Sequence, residues 1–355
     1  MTTPRLQWNH LPAAALANGS EHRRDWDALN SQRGAWPFLD AAAVALALTE
    51  FGTGQERLLI GRDGAQVRAM FVLAPQGPLR WQTFQPSQLP LGCWAAAEGL
   101  DLADLSRQLL RGPLGLCLAV TVTQIDPQMA TRGDDAADTE HVDYIETGWV
   151  TLQADFESYW AARGKNLRQN VRKQHNRLSA AGRITEMRTL TRRADMARAI
   201  EEYGRLESAG WKAGGGTAIQ AGNAQGRFYL ALLEQAADRG EALVYQYLFD
   251  GRIVATDLCL RRDDVMTILK TTYDEAEHAN SPATLLREEQ MRHCFDTGLQ
   301  RLEYFGRYME WHSRWTDTKR TLYHLGVFRW AWLKRLARAR RSVPNAEPAA
   351  AMETS

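Results

Sequence analysis

The chain has 355 residues, with 43 basic and 42 acidic side chains and a formal net charge of +1. This balance excludes binding of a polyanion through overall charge, so any such binding must come from local patches. Hydrophobic residues make up 45% and charged residues 24%, which is typical of a globular protein long enough for two domains.

The cysteine pattern and the hydropathy indicate the compartment. The four cysteines are Cys93, Cys117, Cys259 and Cys294. They form no C-x-x-C pair, which favours reduced thiols over a disulfide framework or a zinc site. The longest apolar run, from Ala41 to Leu48, is too short to cross a bilayer, and the N-terminus lacks a signal-peptide pattern. We therefore expect a cytoplasmic protein without a bound metal.

The first half predicts a hairpin, a helix and a strand, in that order. Two β-favouring runs, residues 57–61 and 67–74, flank the turn Arg62-Asp63-Gly64. A helix is predicted from Leu102 to a stop at Gly112, followed by a strand over residues 114–125. The acidic, aperiodic stretch of residues 126–141 then predicts a loop or linker.

A cationic helix is predicted over residues 163–183, which contain seven Lys or Arg and no acidic residue. Its apolar stripe consists of Leu167, Val171 and Leu178. The stripe predicts one packed face and one basic face, on which Arg168 and Arg172 are candidate contacts to an anion. Candidate anions are a phosphorylated or lipid-linked sugar, coenzyme A or RNA. The alternative is a solvated charged face that binds nothing.

A glycine-rich loop follows the next predicted helix, which spans residues 194–208 and carries Glu207. The loop begins at Trp211-Lys212 and continues through three successive glycines, which permit close approach of the backbone to a ligand. One interpretation is a lid in which Glu207, Trp211 and Lys212 contact the substrate. The other is a plain flexible loop.

The second half repeats the hairpin, helix and strand. Strands are predicted over residues 242–249, 253–260 and 265–273, and Asp250-Gly251 supplies the tight turn between the first two. A helix begins at Ser281-Pro282 and stops at Gly298, and a short strand follows. The free amides and the positive dipole end of such a helix start can hold an anion.

Two charges on the central strands are the sharpest candidates for chemistry. A symmetric turn after Leu260 places Asp257 opposite Ile268, hence diagonally across from Lys270 on the same face, about 7 Å apart at Cβ. A charge on such an apolar strand is costly unless it is paired. The pair would supply a base or orienting group and a stabiliser of an oxyanion. A structural ion pair is the alternative.

The order of elements resembles that of the GNAT acyltransferases. Several phrases are similar to one branch, the CelD-like acetyltransferases of cellulose or exopolysaccharide biosynthesis, which are related to the FemAB peptidyltransferases. The phrases are YWAARGKNLRQNVRKQHNRL from Tyr159, LESAGWKAGGGTAI from Leu206, DGRIVA from Asp250, LKTTYDEAEHANSPATLL from Leu269, and Arg314-Trp315. Where many GNAT proteins have a glycine-rich pyrophosphate loop, this chain has Ala279-Asn280-Ser281-Pro282-Ala283, and Glu310-Trp311-His312-Ser313 replaces the Tyr-Lys of the branch.

The resemblance implies a set of site residues. Contacts to acyl-CoA are implied for Thr271, Thr272, Ser281, Pro282, Ala283 and Thr284. The candidate catalytic residues come from the strand pattern instead: Asp257 and Lys270 from their predicted pairing, and Tyr273, just after the third strand, as a candidate proton donor to the leaving thiolate. For Tyr273, simple packing at the strand end is the alternative.

We therefore expect an α/β (α+β) protein of tandem GNAT-like lobes, each a mixed, mostly antiparallel sheet flanked by helices. The lobes are predicted at residues 1–140, a degenerate lobe, and 141–335, the acyltransferase lobe, with a disordered tail at 342–355. The resemblance implies acyl transfer from acetyl-CoA or another acyl-CoA to an amine or hydroxyl, on an envelope or exopolysaccharide precursor. The alternatives are a FemAB-like transferase that uses aminoacyl-tRNA and a non-catalytic GNAT-like binding module.

The stretch from Phe328 to Arg341 is basic and amphipathic and contains Trp330 and Trp332. It predicts either a peripheral contact with the inner face of a membrane or a terminal helix that packs on its lobe.

Overall fold

The computed structural model describes residues 3–16, 21–209, 219–220 and 222–342. The chain divides into two compact units, one made of Met1–Glu146 with Arg320–Ser355 and the other of Thr147–Lys319. The predicted boundaries differ from this division, because residues 320–335, assigned to the second lobe, lie in the first unit. The predicted tail at 342–355 falls outside the described residues except for Ser342.

The strands, in chain order, are β1 (Gln7–Pro12), β2 (Arg57–Asp63), β3 (Gln66–Pro75), β4 (Arg80–Thr83), β5 (Trp94–Ala96), β6 (Ala119–Ile125), β7 (Thr139–Thr151), β8 (Thr185–Leu190), β9 (Ala242–Phe249), β10 (Arg252–Arg262), β11 (Val265–Tyr273), β12 (Arg301–Glu303) and β13 (Lys319–Phe328). The α-helices are α1 (Glu21–Ser31), α2 (Ala41–Phe51), α3 (Leu102–Arg111), α4 (Phe156–Ala161), α5 (Lys165–Ala180), α6 (Arg193–Ala209), α7 (Ala224–Ala237), α8 (Pro282–Asp296), α9 (Glu310–Ser313) and α10 (Ala331–Ser342). Short 3-10 turns occupy Ala13–Leu16, Pro37–Leu39 and Glu275–Asn280.

The two units repeat one strand order. The first unit has β1-β2-β3-β4-β6-β13, and the second has β8-β9-β10-β11-β12-β7. In both units the pair formed by the fourth strand and the strand after the helix is parallel, β4 with β6 and β11 with β12, and the other pairs are antiparallel. The predicted tandem of mixed, mostly antiparallel GNAT-like lobes is confirmed.

The strand that ends each unit's sheet order is not the one that directly follows that unit's other strands in sequence. β7 leaves the first unit and pairs with β12 in the second, whereas β13 follows the second unit and pairs with β6 in the first. This exchange of closing strands explains why residues 320–335 fold with the first unit, since only the pairing partner decides where a strand belongs.

Local sequence signals account for the hairpin of the second unit. Asp250 and Gly251 both have positive φ, 51° and 79°, as the two central residues of a type I′ turn require. The predicted limits of β9 and β11 are confirmed. The core beneath this sheet joins the apolar stripe of α5 to strand residues such as Tyr245 and Ile268, and to Leu286 of α8.

In the described part of the chain, no helix is long and apolar enough to cross a membrane. Nor do the described residues contain a cluster of three or more His, Cys, Asp or Glu side chains that could hold a metal ion.

Candidate functional site

The parallel strands β11 and β12 part soon after they meet. The three residues of β12 pair with the first three residues of β11, so that Thr267 lies opposite Glu303. Residues 268–273 of β11 continue along β10 with no strand on the other side in the described chain. Beyond Glu303 the chain turns away, because Tyr304 donates its amide to Gly148 and Phe305 adopts a φ of 52°. An open backbone edge six residues long results.

The start of α8 lies in the connection that follows this open edge. Ser281 caps the helix in the left-handed region, with φ 52° and ψ 50°, and its hydroxyl makes no capping hydrogen bond. Pro282 has no amide, and the amide of Ala283 donates to no acceptor in the described chain. The helix dipole and this amide favour an anion here. The exposed Arg177 lies close, donating to the carbonyl of Ala279 at 2.9 Å and to the Asn280 side chain.

The register between β10 and β11 differs from the predicted one. A bulge between Leu258 and Cys259 places Asp257 opposite Thr271 and Leu258 opposite Lys270. Since side chains alternate along a strand, one extra residue sends Asp257 and Lys270 to opposite faces of the sheet. The predicted diagonal pair is therefore wrong, and each charge has a different partner.

Lys270 faces helices α6 and α7. Its ammonium lies 4.0 Å from the carboxylate of Glu207 and 6.0 Å from the ring centre of Tyr229. The side chain of Lys270 is 28% exposed, whereas that of Glu207 is 1% exposed. Beside them the hydroxyl of Tyr203 donates to the carbonyl of Thr271 at 3.1 Å. This face therefore offers a cation that reaches solvent, next to a buried carboxylate and the open edge of β11.

Glu207 also holds a neighbouring segment in place, because its Oε2 accepts the amide of Ile219 at 2.7 Å. The predicted substrate contacts Trp211 and Lys212 lie between these two residues, outside the described residues. Burial of the phenols raises the pKa of Tyr203 and Tyr229 above the usual range, with the Glu207 charge adding to it. Both phenols are therefore neutral hydrogen-bond donors on this face.

Asp257 faces α8, where Nη2 of Arg287 lies 2.9 Å from Oδ2, and both side chains are almost fully buried. Neither carboxylate oxygen of Asp257 accepts a hydrogen bond, and the hydroxyl of Tyr304 is also buried without a partner. The guanidinium of Arg287 lies 5.6 Å from the ring centre of Tyr304 and 5.9 Å from that of Trp311. The arrangement forms a polar cluster under β10, at the point where β12 leaves β11.

His312 of α9 completes this polar cluster. Its ring stacks on Trp311 with a centroid distance of 3.5 Å, and Nδ1 accepts the amide of Met309 at 2.8 Å. Burial, reinforced by the Arg287 charge, lowers the pKa of His312 to about 4. The imidazole is thus neutral at physiological pH. Despite burial, the pKa of Arg287 is raised by the charge of Asp257, so the guanidinium stays protonated.

The remaining predicted residues lie on or near the open edge. Thr271 is exposed, and Thr272 and Tyr273 are half-buried at the end of β11. Ser281, Ala283 and Thr284 are half-buried at the start of α8, and Pro282 is buried. Their predicted contacts to a donor remain predictions, as does the role of Tyr273.

The predicted two-faced character of α5 is present. Leu167, Val171 and Leu178 are buried, whereas Arg168 and Arg172 are exposed. Nε of Arg168 donates to the carbonyl of Arg163 at 3.1 Å. No acidic residue lies on α5, so the cations on the outer face remain available to an anion.

Sequence reasoning missed Arg287, Tyr304, His312, Tyr203 and Arg177. An arginine between apolar helical neighbours, as in Leu285-Leu286-Arg287, was the available signal of a buried cation, because its position on α8 faces the sheet. The other four are brought to the site by chain segments distant in sequence, and among them only Arg177, one of the seven cations of the predicted basic helix, belongs to a local pattern.

The equivalent place in the first unit is closed. β4 ends at Thr83, one residue after its last pairing with β6. The hydroxyl of Thr83 accepts the amide of Thr123 at 2.9 Å and bonds its hydroxyl at 2.7 Å, which ties the two strands together. The start of α3 is capped by the carboxylate of Asp101, which accepts the amide of Asp104. A helix start occupied by its own carboxylate does not attract a second anion.

Residues 165–313, from α5 to the end of α9, match the model of the family described as acetyltransferase (GNAT) domain. This segment of the second unit is therefore similar to GNAT acetyltransferase domains. No curated protein matches the chain in sequence.

Among solved structures, the chain is similar to the C-terminal domain of a putative lysylphosphatidylglycerol synthetase from Agrobacterium fabrum, with 17% identity and a TM-score of 0.56, covering 90% of this chain and 96% of that one. It is also similar to L-PGS from Bacillus licheniformis, with 15% identity and a TM-score of 0.50, covering 89% and 96%. The chain is also similar to FemX, with 8% identity and a TM-score of 0.55, and the match covers 93% of this chain and 99% of FemX. At these identities the likeness establishes the fold alone.

Proposed function

We propose that the second unit transfers an acetyl or other acyl group from acyl-CoA to an amine or hydroxyl. The observation that carries this proposal is the open edge of β11, which leads into the uncapped start of α8. The first unit has the same strand order, yet both features are closed there. The GNAT match over residues 165–313 supports the same reading.

The donor would lie along the open edge of β11. Apart from the Thr271 carbonyl, which accepts the Tyr203 hydroxyl, the backbone groups on this edge suit the amides of a pantetheine arm, because an unpaired strand edge presents donors and acceptors in alternation. The diphosphate would sit at the start of α8, on the amide of Ala283 and near Arg177. Thr271, Thr272, Ser281, Pro282 and Thr284 are the flanking contacts in this proposal.

The chemistry would be direct attack on the thioester. The acceptor nucleophile bonds to the carbonyl carbon and releases its proton to solvent, and the carbon–sulfur bond then breaks. The thiolate takes a proton, for which Tyr273 is the proposed donor, and Tyr273 regains a proton from solvent. Lys270 is the proposed stabiliser of the tetrahedral oxyanion, held in place by Glu207. Asp257 is buried against Arg287, so we assign it an orienting role, acting through Arg287 on Tyr304.

The acceptor proposal rests on the phrases similar to the CelD-like branch and on α5. A phosphorylated or lipid-linked sugar precursor of the envelope would match the exposed cations Arg168 and Arg172. Binding of such an anion weakens as salt rises, because screening shortens the reach of exposed charges.

The test is isothermal titration of acetyl-CoA and coenzyme A into matched variants. Ala283 and Ala103 are each the second residue of the equivalent helices α8 and α3, and both are half-buried. Ala283→Asp should weaken binding by at least about 100-fold, because it sets a carboxylate against the diphosphate. Ala103→Asp should leave binding unchanged. Equal losses in both variants, or no binding by the unaltered chain, would refute the proposal.

A second candidate is an aminoacyl-tRNA donor, favoured by the one-signed face of α5 and by the fold shared with FemX. Titration with aminoacyl-tRNA distinguishes the two donors. Binding that falls steeply with salt, together with no heat from acetyl-CoA, would replace the first proposal by the second.

A further inference from the structure

Helix α10 of the first unit presents its apolar side to solvent. Trp332 and Leu336 are four residues apart, on one helical face, and are 53% and 51% exposed. Trp330, 45% exposed, stacks on Trp332 with ring centres 5.9 Å apart and planes 10° from parallel. An amphipathic helix that packs on its own domain buries this side instead.

The cationic side of α10 faces the protein. Lys334 is 7% exposed and donates to the carbonyls of Ala136 and Thr139. Arg338 pairs with Glu140 at 3.2 Å and with Asp135. These contacts fix the rotation of the helix about its axis, so the outward direction of Trp332 and Leu336 is part of the fold.

The apolar side of α10 is extended by Leu116, which is 64% exposed. The guanidinium of Arg329 donates to the carbonyls of Gly115 and Cys117 on either side of Leu116, and lies 5.9 Å from the ring centre of Trp330. Of the six exposed large apolar side chains in the described chain, four are therefore in one place. We name Leu116, Trp330, Trp332 and Leu336 the outward stripe.

Two arginines, Arg329 and Arg335, lie beside the outward stripe. The guanidinium of Arg329 lies 5.9 Å from the ring centre of Trp330, and residues 329–341 contain no acidic residue. Arg335 is exposed beside Trp332 and Leu336, and no carboxylate in the described chain pairs with it. Tryptophan, leucine and arginine in this arrangement match the boundary between lipid headgroups and acyl chains, where the ring sits at headgroup depth and the cation meets lipid phosphate.

We propose that the outward stripe docks the protein on the surface of an anionic lipid bilayer. Charge complementarity selects this occupant. A second copy docked through the same stripe would bring like charges such as the two Arg335 side chains together, whereas an anionic bilayer neutralises them and covers the apolar residues. The proposal is independent of the acyl-transfer chemistry assigned to the second unit.

The experiment is co-sedimentation of the full chain with vesicles of phosphatidylcholine alone or mixed with phosphatidylglycerol. We expect binding to the anionic vesicles, a blue shift of tryptophan emission, and loss of both in high salt. Trp332→Ser with Leu336→Ser should weaken binding at least about tenfold. Arg335→Gln should weaken vesicle binding about fivefold, because one basic residue near an anionic surface contributes about that factor to the affinity.

Matched controls come from the second unit. Ile184 is 72% exposed, and Arg198 is an exposed arginine on α6, so Ile184→Ser and Arg198→Gln change equivalent chemistry away from α10. Both should bind as the unaltered chain does. The altered positions on α10 are exposed, so thermal unfolding should not shift.

Three results would overturn the proposal. The first is equal binding to both kinds of vesicle, or none to either. The second is a dimer in sedimentation that dissociates in the Trp332→Ser, Leu336→Ser variant, which would make a second copy the occupant. The third concerns a chain truncated after Ser342, measured without lipid. If its tryptophan emission shifts to the red, residues 343–355 cover the outward stripe in the full chain and are its occupant.

Discussion

In the first unit the fourth strand, β4, stops after four residues, whereas in the second unit the fourth strand, β11, runs on for six residues beyond its last parallel pairing. The first unit fills the resulting space, because a Cβ on Gly92 would come within 2.5 Å of the carbonyl of Thr123 and 2.6 Å of the Thr83 hydroxyl. The same order of strands thus gives a closed seam in one unit and an open edge in the other. Topology alone does not make a site, because the site depends on which backbone groups are left without partners.

Each unit also contains a buried arginine–aspartate pair, and the two pairs differ in how fully the carboxylate is hydrogen-bonded. In the first unit, Nε of Arg320 contacts both oxygens of Asp126 at 2.9 Å, Nη2 contacts Oδ2 at 2.6 Å, and the Gln128 amide donates to Oδ1. In the second unit, Asp257 has one close contact to Arg287 and accepts no hydrogen bond. The first pair is structural, whereas the second lies beneath the candidate site, where both carboxylate oxygens of Asp257 lack a hydrogen bond and Arg287 donates to Gln290.

The largest expected effect tests these two pairs. Arg320→Met and Arg287→Met should each lower the free energy of unfolding by about 3–5 kcal/mol, because each leaves a buried carboxylate without its cation. Adding Asp257→Asn should recover most of the loss in the second unit, since that carboxylate has no hydrogen bond to lose. Adding Asp126→Asn should recover less. Urea unfolding measures all four, and equal recovery would break the distinction between the pairs.

The next effect is a dependence on pH. Because the pKa of His312 is about 4 in the folded protein and about 6.5 in an unfolded chain, the unfolded state binds the proton first as pH falls. Stability contributed by neutral His312 is therefore present above pH 6.5 and is lost between pH 6.5 and 4. Between pH 7 and 4.5 the loss is about 2–3 kcal/mol.

His312→Asn should remove that part of the pH dependence, measured by urea unfolding at pH 7 and 4.5. His324 of the first unit is the matched control, because burial lowers its pKa and its Nδ1 likewise accepts a backbone amide, that of Gln124. His324→Asn should leave unchanged the loss of stability between pH 7 and 4.5 that is caused by His312. An unchanged slope in His312→Asn would show that other groups carry the acid sensitivity.

A smaller effect separates the closed seam from the open edge. Thr83 is fully buried and its hydroxyl serves Thr123, so Thr83→Val should lower the free energy of unfolding by about 1–3 kcal/mol without changing acetyl-CoA affinity. Thr271 is exposed on the open edge, so Thr271→Val should change stability by less than about 0.5 kcal/mol and weaken donor binding. If Thr83→Val weakened donor binding and Thr271→Val lowered only the stability, the open edge would be assigned to the wrong unit.

The smallest effect concerns the helix starts. The backbone of Ser281 adopts the left-handed helical conformation, which costs free energy for any residue with a Cβ. Asp101, at the start of α3, has an ordinary φ of −79°. Ser281→Gly should therefore raise the free energy of unfolding by up to about 1 kcal/mol. Thermal unfolding measures the gain. A loss of stability would mean that the serine side chain makes a contribution larger than the backbone strain.

Much of the fold could be predicted because its signals are local. The turn at Asp250-Gly251 sets the hairpin, Ser281-Pro282 sets the start of α8, and the stripe of Leu167, Val171 and Leu178 sets the packed face of α5. The candidate site was predicted only in part. Its residues on β11 and at the start of α8 were named, but the partners of Asp257 and Lys270 were not.

The sequence by itself determined the hairpins, the helix starts and the repetition of their order, because these depend on the φ preferences and periodicity of neighbouring residues. Tertiary structure decided the bulge at Leu258 and Cys259, which sends Asp257 to α8 and Lys270 to α6. It also decided the exchange of β7 and β13 and the outward direction of Trp332 on α10. Each of these depends on which distant segment supplies a hydrogen bond or a countercharge, and residues adjacent in sequence do not encode that choice.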